Sequence, residues 1–243
     1  MLMRLLASGL LAGAITGVCI TLIEQRTTVP LILEAERYEA AGVHHHASSP
    51  GSGDARVILA HTEVAPTEKA APAERDYAFG LTRVGFTAVA TIGTATGFSL
   101  MLLAIMLASG AAISAQTATH WGAAGFVAFG LAPALGLAPA LPGSAEIDLH
   151  ARQLWWVMTA VATAGGLWGL WRWPKPGPIL GSLALIAIPH LAGAPRIELY
   201  SSPVPAELAA QFAASSLAVQ AILWGAVGGL SGWFWQRFER APA

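Results

Sequence analysis

Leu5-Leu6-Ala7-Ser8-Gly9-Leu10-Leu11-Ala12-Gly13-Ala14-Ile15-Thr16-Gly17-Val18-Cys19-Ile20-Thr21-Leu22-Ile23 runs without a charge between Arg4 and Glu24. A helix that crosses a bilayer needs about 20 mostly apolar residues, and this stretch supplies them. It exceeds the ~7–15-residue core of a secretory signal, and no A-x-A site follows, so it reads as an uncleaved anchor. Five further stretches follow it: Val84–Ala108, His120–Leu137, Gln153–Trp171, Pro178–Ala192 and Ala213–Trp235. The weakest are His120–Leu137, which contains Pro133, and Pro178–Ala192, which is short and carries Pro189 and His190. The expected fold class is an all-α integral membrane protein, a bundle of about six transmembrane helices (five as the alternative) with a long flexible outer loop. The expected divisions are a first transmembrane helix at 1–23, an extracytoplasmic loop with a histidine cluster at 24–83, and a membrane bundle of about five further helices at 84–243.

Composition agrees. Of 243 residues, 55% are hydrophobic and only 11% charged. A soluble domain carries about a quarter charged residues, whereas lipid-facing helices need no polar cover. The net charge of −1 gives no global field for nucleic acid. A lone cysteine, Cys19, forms no internal disulfide.

Basic residues in short loops prefer the cytoplasm. With six spans and an inner N-terminus, Arg4, Arg172, Lys175, Arg237 and Arg240 fall inside, and only Arg152 and Arg196 occupy the short outer loops. Both termini are then cytoplasmic, and the expected location is a bacterial inner membrane. Tryptophans fit a belt at both interfaces: Trp155 and Trp156 outside, Trp171, Trp173, Trp233 and Trp235 inside. The same topology puts every Asp and Glu except Glu239 outside, where carboxylates raise the local cation concentration. The competing explanation is that the acids simply follow the longest loop. Within that loop, Val29 to Glu39 is helix-prone after Pro30, and Ala40 to Asp76 is expected to be largely flexible. Small residues recur every fourth position at Gly9, Gly13 and Gly17, at Gly93 and Gly97, and at Ala221, Gly225 and Gly229, a pattern that allows close helix packing.

The candidate ligands lie outside. His44-His45-His46 offers neutral imidazoles, good ligands for Co, Ni, Cu and Zn, with Glu34, Glu36 or Glu39 as oxygen donors and His61 further along. The alternative is a solvated polar loop. Asp148 and His150, with Glu146 beside them, stand at an entrance or serve as interfacial polar residues near Trp155. His190 follows Pro189, which frees a backbone carbonyl one turn earlier, and ionisable groups at membrane depth usually face the bundle interior. His120 reads as an interface residue, and Gln220 as an interhelical hydrogen bonder. No phosphate-binding glycine loop, nucleophile motif or H-E-x-x-H is present, so no enzyme is expected.

Five segments in order, Val29–Glu36 with the histidine loop after it, Leu131–Leu137 leading into Leu141-Pro142-Gly143, Arg152–Trp156, Pro189–Pro195 and Val204–Leu208, resemble the CbtA family of bacterial cobalt-transporter subunits. The resemblance covers nearly the whole chain. It implies cobalt uptake tied to cobalamin synthesis, beside a small single-helix, histidine-bearing partner subunit, and the family is generally described with five spans. The expectation is therefore a membrane subunit of a divalent-metal uptake transporter. Co²⁺ is the transported ion, with Ni²⁺ or Zn²⁺ as alternatives. The metal-handling set is His44, His45, His46, Glu34, Glu36, Asp148, His150 and His190. The rival reading is a metal-binding membrane scaffold or sensor without transport.

Overall fold

A computed structural model of the protein describes residues 1–46, 72–144, 148–195 and 202–240, with side chains for all of these except 40–46 and 72–79. Uncharged runs rich in Leu, Ala and Met favour helix, and in lipid a helix satisfies its own backbone. The described residues are accordingly helical, with no strand among them. We number the helices α1 (Leu2–Glu24), α2 (Thr28–His46), α3 (Pro72–Ala108), α4 (Ala115–Phe126), α5 (Leu149–Arg172), α6 (Pro176–Ala192) and α7 (Ala206–Glu239). Each of the six expected spans falls within a helix or, for His120–Leu137, largely so. Three segments are long and apolar enough to cross a membrane: α1, Gly80–Ala108 of α3, and α7. α6 is apolar but shorter.

Two stretches differ from expectation. α2 continues past Ala40 to His46, because Glu39-Ala40-Ala41 sustains helix, and α3 begins at Pro72, whose fixed φ suits a first turn. The stretch expected to be flexible, Ala40 to Asp76, is therefore helical at both its ends, and 47–71 lies outside the described residues. α4 continues past Phe126 through a π-helical turn, Val127–Leu131, and a last short turn, Ala132–Ala134. Pro133 explains the widening: its ring would clash with the carbonyl four residues back, and a five-residue spacing removes that clash.

α1 lies antiparallel against α3 and α7, α4 against α7, and α5 pairs with α6 as a hairpin. The seams are glycine seams. A Cβ on Gly13 would come within 2.6 Å of Thr96 N, and one on Gly17 within 3.0 Å of Ile92 N. A Cβ on Gly232 would come within 2.7 Å of Ser114 C, and one on Gly228 within 3.0 Å of Ala118 C. Between these seams Trp224 is sandwiched by Phe98 and Phe129, with ring centroids 4.7 and 5.7 Å away, and Gly125 leaves room for its indole. Arg4 closes one end. Its guanidinium sits 4.0 Å over the Trp235 ring and pairs with Glu239 at 3.0 Å, so the N-terminus of α1 and the C-terminus of α7 share one end of the bundle.

Outside, large apolar side chains stand exposed along the helices, among them Leu10 and Leu22, Phe86 and Val89, Val157 and Val161, Leu183 and Ile188, and Ile222. An exposed apolar surface on so many elements needs lipid rather than water against it. Trp156, Trp171, Trp173 and Trp233 are half exposed, as a belt requires. Trp155 and Trp235 are buried at 3% and 4% exposure, so these two are core residues and not part of the belt.

Candidate functional site at the acid-bearing end

The other end of the bundle, opposite Arg4 and Glu239, collects segments far apart in sequence. On α2, Ala35 is fully buried against Leu141, from the stretch after α4, and Val204, from the lead into α7. Ile32, Leu208 and Phe212 surround this cluster. Gly143 turns the chain there with φ +72, a conformation that suits a residue without Cβ, and its carbonyl accepts a hydrogen bond from Ser202 Oγ at 3.1 Å. A Cβ on Gly143 would come within 3.3 Å of Glu39 Cβ.

A second cluster is linked to the first through the stretch from Pro133 to Leu141. Trp155 Nε1–H donates to the Pro133 carbonyl at 3.4 Å. Its ring meets the His190 imidazole edge-on, with centroids 5.9 Å apart. Gly136 lets the indole close in, since a Cβ there would lie within 2.8 Å of Trp155 Cε2 and 2.9 Å of Ala194 Cβ. His190 sits in the last turn of α6, after Pro189, and Gly193 ends the helix at φ +87. Leu135, Gly136, Trp155, His190, Gly193 and Ala194 line a cleft of about 470 Å³.

Four carboxylates of this end, Glu24, Glu34, Glu36 and Asp148, are engaged. Glu36 receives both nitrogens of Arg83, Oε2 from NH1 at 3.0 Å and Oε1 from NH2 at 2.6 Å, tying α2 to α3. The Arg83 hydrogen bonds hold the Glu36 carboxyl below the usual carboxylate range, and they outweigh the opposing effect of burial. Glu24 accepts from Thr91 Oγ1 at 3.1 Å. Glu34 pairs with Arg37 at 3.2 Å, one turn along α2. Asp148 caps α5 by accepting from Ala151 N at 2.9 Å, and His150 is exposed in the first turn of the same helix. His44, His45 and His46 form the last turn of α2, with side chains outside the described residues, as are Glu146 and His61. Among the described residues, no three His, Cys, Asp or Glu side chains converge on a point that could hold a metal ion. His190 and Asp148, proposed together from sequence, share this end without direct contact.

Sequence reasoning passed over Arg83, Trp155 as a core residue, and Gly136. The signal for Arg83 was present: a lone cation at the start of a long apolar run needs a partner. Gln220 is placed with its Oε1 against Gly130 of the π-turn. Deeper in the bundle, the hydroxyls of Ser8, Thr16, Ser99 and Ser231 on α1, α3 and α7, and of Thr159 and Thr163 on α5, are buried without a hydrogen-bond partner.

The model of the family described as "Probable cobalt transporter subunit (CbtA)" matches residues 2–236. The chain belongs to the CbtA family. No curated protein and no solved structure matches it. As a CbtA protein with several apolar helices it is a multi-pass membrane protein, a transporter subunit whose family's cargo is cobalt, and a subunit implies partner subunits. The clusters described above join all five segments that carry the resemblance. Ala35 belongs to the first and Pro133 and Leu141 to the second. Trp155, His190 with Ala194, and Val204 with Leu208 belong to the remaining three.

Proposed function

We propose that this CbtA protein takes up Co²⁺ from the outer face and passes it through the bundle, and that the cleft beside His190 is the entrance. One observation carries the reading: the five family-marking segments, spread from Val29 to Leu208, gather at one end of the bundle in two clusters that share the Leu131–Gly143 stretch, and His190 lines the cleft of the second. Core packing alone gives no reason for an imidazole beside an indole at a helix end broken by Pro189 and Gly193. An imidazole lining an open cleft is a nitrogen ligand suited to a borderline cation.

In this reading the triplet His44-His45-His46 gathers the ion, with Glu34 and Glu39 nearby on α2. Asp148 and His150 flank the entrance from α5. Glu36 releases Arg83 as a cation arrives, exchanging one positive partner for another. The unpartnered hydroxyls on α1, α3 and α7 offer oxygen donors deeper in. Ni²⁺ and Zn²⁺ suit the same donors, so selectivity rests on geometry.

We further infer six spans with both termini in the cytoplasm. Arg4 and Arg237 share one end of the bundle through the Arg4–Glu239 pair, and basic residues stay inside. α4 with its π-turn runs from Ala115 to Ala134, about 30 Å at 1.5 Å per residue, which is the thickness of the hydrocarbon core. Gln153 to Trp171 of α5 carries no charge, and half-exposed Trp156 and Trp171 sit near its two ends, where amphipathic rings belong.

The test is cobalt uptake in cells matched for membrane abundance of each variant. His190→Ala abolishes uptake while the protein still inserts, and His190→Gln is nearly as damaging. Normal transport by both would leave His190 as a packing residue. A scaffold or sensor would bind cobalt in proteoliposomes without any flux.

A further inference from the structure

A second, larger cavity lies at the opposite end from His190. It is an open crevice of about 700 Å³ between α3, α4 and α5, and its walls are almost wholly apolar. Three features restrict what can fill it. The first is depth. Along α4 the crevice runs from Thr117 to Phe129, about 18 Å at 1.5 Å per residue, close to one leaflet of a hydrocarbon core about 30 Å thick. Its deep end is closed by Phe129 stacked on Trp224. A spanning helix of a partner needs a groove of full height, whereas an acyl chain needs one leaflet.

The second feature is the mouth. Trp121, Trp168 and Trp171 meet edge to face at the shallow end, with centroids 5.2–6.0 Å apart, and exposed His120 stands beside them. Tryptophan clusters of this kind sit at headgroup level. The third is charge. Arg172 lies one turn beyond Trp168 on the same face of α5, and Lys175 follows in the short turn into α6. Both are exposed, and neither has an ion-pair partner among the described residues. The one carboxylate described at this end, Glu239, is held by Arg4.

We propose that the crevice binds an anionic phospholipid, its acyl chain along α4 and its headgroup on Arg172 and Lys175. Basic residues at the mouth of an apolar pocket between membrane helices are the arrangement that recognises such headgroups. The inference rests on the bilayer placement of α3, α4 and α5, and it is independent of cobalt and of His190.

The test uses the purified full chain, stripped of lipid in detergent and titrated with phosphatidylglycerol or phosphatidylethanolamine of identical acyl chains. Bound lipid is counted by native mass spectrometry. Phosphatidylglycerol is expected to bind more tightly by on the order of 25-fold, about 5-fold for each basic residue. R172Q/K175Q, changed only at exposed positions, brings the ratio near one. Ala164→Phe, in the crevice wall, lowers binding of phosphatidylglycerol with the charges intact, its helical content being checked by circular dichroism. Equal affinity for the two lipids in the unaltered chain overturns the proposal, as does a preference that survives R172Q/K175Q. A photo-crosslinking residue in place of Trp168 should capture lipid in intact membranes. Capture of a polypeptide there would assign the crevice to a partner helix instead.

Discussion

Gly13→Ala is the sharpest probe of the packing that positions the site. The new Cβ would fall 2.6 Å from Thr96 N and closer still to Thr96 Cα, against 3.4–4 Å for ordinary contact. The obstructing atoms are backbone, so no rotamer change relieves them, and α1 must retreat from α3 by about 0.8 Å or more. A gap of that size forfeits roughly a quarter to a half of each dispersion contact along the seam. Overpacking of this kind costs about 1–3 kcal/mol, from which about 1 kcal/mol is recovered because Ala favours helix over Gly. Because backbone obstructs the new Cβ, the upper half of that cost range, about 2–3 kcal/mol, applies, and the expected net loss is ~1–2 kcal/mol. Gly93→Ala on α3 is the control, because nothing lies within 4 Å of its Cβ position, and only the helical gain of roughly 0.5–1 kcal/mol remains. The two substitutions, chemically identical and both in glycine stripes, should therefore have opposite signs. The assay is unfolding of the full chain in mixed micelles on addition of SDS, followed by tryptophan fluorescence. Equal midpoints for Gly13→Ala and the unaltered protein, or equal losses at both sites, would refute the seam.

Three further outcomes follow. Glu36 has a depressed pKa in the folded protein, so its pairing with Arg83 stabilises the docking of α2 at neutral pH and is lost as pH falls through that depressed value. Because the side chains of Arg83 and Glu36 are 34% and 40% exposed, the pair is worth less than ~1 kcal/mol. Carboxyl-carbon NMR should show the Glu36 titration moving up toward the ordinary range in Arg83→Gln. Trp155→Phe keeps a ring against His190 and removes the indole hydrogen bond to the Pro133 carbonyl, which still accepts from the Gly136 and Leu137 N–H groups, so the cost in the same SDS assay is about 0.5–1.5 kcal/mol, and an unchanged midpoint would make that hydrogen bond immaterial. Reporter fusions at Ala243 and near Ser52 should report cytoplasm and periplasm respectively, and a periplasmic C-terminus would restore the five-span alternative.

Local sequence alone marked the membrane class and the positions of the helices, because lipid imposes its demand on each segment separately: an apolar run without charge must be helical wherever it sits. The five segments that resemble CbtA were also legible in order, as was the unusual placement of His190. Tertiary structure decided which faces meet. Glycine stripes appear on α1, α3 and α7, yet only that of α1 is closed against a neighbour as written. On α7 the packed positions are Gly228 and Gly232, while Gly225 is open. A small residue permits close approach from any side, and only a partner helix distant in sequence selects the side. For the same reason Trp155 looked like a lipid-facing anchor, and Glu36 looked like a free ligand. Burial by Gly136 and the arrival of Arg83 from the start of α3 are facts about neighbours, which a residue's own surroundings in the chain do not contain.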